Sequence, residues 1–150
     1  MLALVSCAVG AIAQATPSAT AADRAATTSV RHPQLVYQAN SACQVALKQM
    51  RAQILPAPTR RARAQLMESA FHGEVNTLAG LHPSRHDQPA WRAVVHDFRV
   101  LERTKLSVIF DRNPVTAAVR RARDAATRAI SPFDAPACSQ TASAWANLSP

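Results

Sequence analysis

The stretch VYQANSACQVALKQMRAQI, residues 36–54, decides the fold. Val36, Cys43, Leu47, Met50 and Ile54 recur at steps of seven, four, three and four, the spacing that lines one face of a helix. In the middle of that face stands a cysteine. Cys43 has one plausible mate, because of the three cysteines in the chain Cys7 lies in an N-terminal apolar run and only Cys138 remains. The expectation is a helical bundle whose tail is tied back to its first helix. A Cys43–Cys138 bridge would close a loop of about 95 residues and, on chain-entropy grounds, contribute up to roughly 4–5 kcal/mol.

Working outward, His32-Pro33 opens this first helix and Pro56-Ala57-Pro58 breaks it near Leu55. A second helix starting at Pro58 carries Leu66, Met67, Ala70, Phe71, Val75 and Leu78 inward. It ends at Gly80-Leu81-His82-Pro83, with Gly80 expected in the left-handed cap position. Ser84 or Asp87 caps a third helix from about Pro89, whose inward residues are Trp91, Val94, Val95, Phe98, Leu101, Val108 and Ile109. Asn113-Pro114 starts a fourth, with Val115, Ala118, Val119, Ala122, Ala126 and Ile130 inward. Ser131-Pro132 ends it, and Phe133 to Ala137 reads as an extended lead to Cys138. The last twelve residues read as one turn of helix that lays Trp145 and Leu148 on the bundle, or as a frayed end. No stretch alternates over strand length. The expected class is all-α, an up-down four-helix bundle with its C-terminal tail held to the first helix by a disulfide.

The N-terminus reads differently. Residues 2–13, LALVSCAVGAIA, have the length of a signal-peptide core and are too short to span a bilayer as a mature helix. Residues 1–15 are therefore expected to be a signal peptide, 16–30 a disordered Ala/Thr-rich leader, and 31–150 the helical domain. Leu4-Val5-Ser6-Cys7 also has the form of a lipobox, which makes Cys7 a lipidation candidate and the leader a tether. Both readings place the domain outside the cell or on the envelope, where a disulfide persists.

The net charge of +8 arises from fifteen Arg and two Lys against nine acids. Such a surface attracts anions. Arg60, Arg61 and Arg63, and Arg120, Arg121 and Arg123, are the anion-contact candidates. Neither group has interleaved aromatics, so specific nucleic-acid binding is not expected. The partner reading is an anionic envelope component or another protein, with no cofactor and no transmembrane helix in the mature chain.

The layout Tyr37-Gln38-Ala39-Asn40-Ser41-Ala42-Cys43 with Ala135-Pro136-Ala137-Cys138 resembles a group of small exported helical proteins of actinobacteria with one disulfide. The resemblance implies a helical exported protein and brings no activity with it.

Two chemical alternatives stand beside the contact reading. His96-Asp97-Phe98 is similar to the His-Asp-Phe of secreted bacterial phospholipases A2, which makes His96 and Asp97 the catalytic candidates of a hydrolase. The cysteines and calcium segment that flank that motif in those enzymes have no counterpart near Trp91 to Asp111. His72, His82 and His86 are the candidates for a metal, and His72, His82 or Tyr37 for haem; His82 and His86 are four apart, but Pro83 places His82 in a turn. The leading expectation is a non-enzymatic exported helical domain that acts by contact. Asn40, between inward positions of the first helix, is read either as a buried polar residue that fixes register or as a solvated one.

Overall fold

A computed structural model describes residues 32–150. The expected signal peptide, leader and Cys7 lie outside the described residues. Those residues form five α-helices and no strand: α1 (His32–Gln49), α2 (Arg60–Ala79), α3 (Gln88–Ser107), α4 (Ala117–Ile130) and α5 (Pro136–Asn147). Each helix packs on the next in sequence, and α5 returns to touch α1, α3 and α4. The disulfide is present. Cys43 of α1 and Cys138 of α5 are joined with their Cα atoms 5.0 Å apart.

The buried stripe of α1 is Leu35, Ala39, Cys43, Ala46, Met50 and Ile54. Val36 and Leu47, expected inward, are only half-buried, because each lies one residue to the side of the buried face, whose positions 39 and 46 are alanines. Small side chains there admit the neighbouring helices close to the α1 backbone. The helix does not simply stop before Pro56. Met50–Ile54 form one π-helical turn, with the Leu55 amide donating to the Met50 carbonyl at 3.0 Å, and the wider turn leaves Met50 and Ile54 both buried.

The helix starts differ from expectation for local reasons. Thr59, rather than Pro58, precedes α2, its hydroxyl accepting from the Ala62 amide at 3.1 Å. At α3, Asp87 precedes the first turn. Ser84 donates to its carboxylate at 2.8 Å and accepts from its amide at 3.3 Å, so Asp87 takes the cap position without its side chain capping a helical amide, and Ser84 braces it. Asn113 does not cap α4. Its side chain is spent on the Val115 amide, 3.3 Å away, and Thr116 caps the helix by accepting from the Val119 amide. Gly80 ends α2 at φ −79, not in the left-handed region, because its amide satisfies the Asn76 and Thr77 carbonyls in a tightened last turn.

The largest departure is the tail. After a 3₁₀ turn at Ser131–Phe133, Asp134 takes φ 48 and ψ 48, and the reversed chain enters α5. The expected extended lead is a 3₁₀ turn followed by the start of α5, and in place of the single expected turn α5 runs for three turns, with Trp145 and Leu148 buried on the bundle. Trp145 is fully buried and stacks on Phe71 with ring centres 4.6 Å apart, and Trp91 meets Phe133 edge-on at 5.1 Å. Fully buried Ala142 and Ala146 let α5 sit close to its neighbours.

Candidate functional site: a basic groove along the third helix

Helical spacing puts Arg92, His96, Arg99 and Arg103 on one exposed face of α3, at i, i+4, i+7 and i+11. Where that face meets the turn after α2 it borders a groove of about 480 Å³. Its cations are Arg92 and Arg99, joined by His82 and His96; its apolar floor comes from Trp91, Val95 and Leu81. No carboxylate lines it. Trp91 is held rigidly there, its indole N–H donating to the Leu78 carbonyl at 3.0 Å. The turn Leu81 to Pro83, which follows the end of α2 at Gly80, brings His82 up to α3.

Arg99 also lines a smaller hollow of about 230 Å³ with Arg103 and His72. There the His72 Nδ1 is 3.0 Å from the Glu102 carboxylate, with Glu102 8% exposed and the His72 side chain 64% exposed. The carboxylate orients the ring and leaves the other nitrogen to solvent. Together the two hollows make one cationic track along α3, in which the single acid is occupied by His72.

Of the residues singled out in the sequence, the fold thus unites His82 and His96 and brings His72 to the adjoining hollow. His86 lies exposed in the turn before α3 and lines neither. The side chains of His96 and Asp97 make no hydrogen bond with each other or with any other described residue, and Asp97 is half-buried outside the groove. No group of three or more His, Cys, Asp or Glu that could hold a metal occurs among the described residues.

The arginine groups are partly engaged in local structure. Arg60 donates to the Asp111 carbonyl at 3.2 Å with its guanidinium 6.0 Å from the Phe110 ring centre. Arg63 donates to the Ala57 carbonyl at 3.2 Å. Arg120 donates to the Val115 carbonyl at 3.3 Å, and Arg123 holds Asp124 at 2.7 Å. Arg61 and Arg121 remain exposed without such partners. A cation inside the first turn of α2 thus finds carbonyl acceptors that offset the opposing dipole.

Three buried charged residues were missed by the sequence reading: Glu74, Glu102 and Lys105. Each sits at an inward phase, Glu74 three residues after Phe71 and Lys105 four after Leu101, which is the signal that could have found them. Lys105 is fully buried, and its ammonium donates to the Ala146 carbonyl at 2.8 Å and the Pro114 carbonyl at 3.4 Å. It therefore satisfies the C-terminal end of α5, where a cation also meets the helix dipole favourably. Burial lowers its pKa to about 8.

Compared with protein-family models, with curated proteins and with solved structures, the chain finds no match. Fold and site define a disulfide-bridged all-helical protein with a basic groove. No helix among the described residues is long and apolar enough to cross a membrane.

Proposed function

We propose that this is an exported, non-enzymatic helical binding module whose α3 groove takes a ligand with an anionic head and an apolar body, as an anionic component of the cell envelope would offer. The observation that carries the reading is the composition of the groove: two arginines and two histidines above a floor of Trp91, Val95 and Leu81, with no acid among its walls. A phosphate or carboxylate gains charge-assisted hydrogen bonds at such a rim, and an alkyl chain gains burial at such a floor. Export is supported by the apolar run at residues 2–13 and by a disulfide that suits an oxidising compartment. The resemblance to small exported proteins of actinobacteria agrees with it. Sequential packing of the first four helices supports their up-down course.

Calorimetric titration with hexyl phosphate, inorganic phosphate and hexanol tests the reading. Hexyl phosphate is expected to bind most tightly, with affinity falling as salt rises. Neutralising Arg92 and Arg99 to Gln weakens it by roughly tenfold or more, whereas neutralising Arg120, Arg121 and Arg123 leaves it unchanged. Equal binding by wild type and the Arg92→Gln/Arg99→Gln variant contradicts the proposal. The hydrolase built on His96 and Asp97 predicts instead an ester-cleaving activity abolished by His96→Ala. A metal or haem protein would retain its group after purification.

A further inference from the structure

A second groove, of about 260 Å³, runs between α1 and α2, and its chemistry is the reverse of the first. In a chain of net charge +8 it is lined by no Lys, Arg or His, and its single charged residue is Glu74. Val45 and Ala46 of α1 and Gly73 of α2 give it an apolar wall, with the amides of Gln49 and Gln53 beside them. Val45 is 51% exposed.

Glu74 itself is 4% exposed. Its Oε2 accepts a short hydrogen bond from the Trp145 indole, on the core side. Its Oε1 is buried and has no protein partner. The Thr141 hydroxyl lies beside the carboxyl but donates to the Cys138 carbonyl at 3.0 Å. A buried carboxyl oxygen without a donor is costly, and such an atom calls for an explanation. Burial pushes the carboxyl up to about 7, which a neighbouring cation would reverse. Gly73, which lines the same groove, faces open space, since a Cβ built there meets nothing within 4 Å.

We propose that the α1–α2 groove is a binding site for a small alkylammonium compound, its ammonium donating to Glu74 and its alkyl body lying on Val45 and Ala46. The volume suits a compact molecule, with room for about eight or nine water-sized groups. This site is separate from the anion groove and stands or falls without it.

The chain has two tryptophans, so two indole N–H resonances report on the two grooves. Titration with n-butylammonium chloride moves the Trp145 resonance saturably and leaves that of Trp91 in place. Neither n-butanol nor sodium chloride reproduces the shift. Gly73→Leu fills the open space, and a helix gains propensity on losing a glycine, so this variant folds and abolishes the shift. Glu74→Gln keeps the shape and weakens binding by about tenfold, the scale expected for one charge-assisted hydrogen bond. A Trp145 resonance that does not move saturably overturns the proposal. So does a shift that persists in Gly73→Leu, or one that n-butanol matches.

Discussion

The side chain of Asn40 in α1 accepts a hydrogen bond from the backbone amide of Ala137, 97 residues later, at 3.0 Å. Ala137 is in the first turn of α5, where amides lack helical partners and no side chain of the adjoining segment caps them. Asn40 thus serves as an N-cap supplied from another helix. It does so one turn before the Cys43 bridge, so a covalent and a polar tie hold the start of α5 to α1. Asn40→Ala should lower unfolding free energy by about 0.5–2 kcal/mol, and Asn40→Asp should preserve most of it. Urea midpoints of the three proteins check this, and an Asn40→Ala midpoint equal to wild type would refute the cap.

The disulfide acts mainly by restricting the unfolded chain. Reducing it, or replacing Cys43 and Cys138 together by Ala, is expected to cost about 2–5 kcal/mol, read as a drop in the urea midpoint. Because α5 brings Trp145 and Lys105's acceptor Ala146 into the core, tryptophan fluorescence should report its loosening first.

Burial of Glu74 makes stability depend on pH. Its folded pKa, about 7, lies above the ordinary 4.5, so between these values the native state binds more protons than the unfolded one. Its contribution is fully present below about pH 4.5 and is lost as pH rises toward and through 7, by up to roughly 3 kcal/mol. The quantity to measure is the difference between wild type and Glu74→Gln from pH 5 to 8, which should shift in favour of the variant as pH rises. A constant difference would contradict the buried carboxyl.

Lys105 works in a separate window and with the opposite slope. Its folded pKa of about 8 lies below the ordinary 10.5, so the unfolded state binds more protons between them and this residue's contribution rises with pH there. Compared with Lys105→Met, wild type should gain stability from pH 8 to 10. Chemical denaturation at several pH values in that range gives the slope, and parallel curves would count against a buried ammonium.

Much of this fold was legible because proline, glycine and aliphatic spacing punctuate it. The stripes Met67, Phe71, Val75, Leu78 and Trp91, Val94, Phe98, Leu101 are buried as their period requires. What escaped was written in small residues. Ala39, Ala46, Ala142 and Ala146 carry little hydrophobic signal yet are buried, so the α1 stripe is legible at Cys43, Met50 and Ile54 but not at its alanines, and of α5 only the turn that carries Trp145 and Leu148 is legible. The polar interior escaped for another reason. A buried Glu74 or Lys105 is stable only with partners such as Trp145 or the Ala146 carbonyl, 71 and 41 residues away, which no local pattern reveals. The groove was half visible. His82 and His96 were each singled out, but their meeting depends on how the Leu81–Pro83 turn lies against α3, and the arginines that count there, Arg92 and Arg99, are isolated in sequence rather than clustered.

The anion groove is the central claim, and the indole resonance of Trp91 tests it most directly, because that side chain forms its floor. Hexyl phosphate is predicted to move the Trp91 resonance saturably, to leave that of Trp145 unchanged, and to lose this effect in Arg92→Gln/Arg99→Gln. A Trp91 resonance that stays fixed, or shifts equally in the variant, would contradict it.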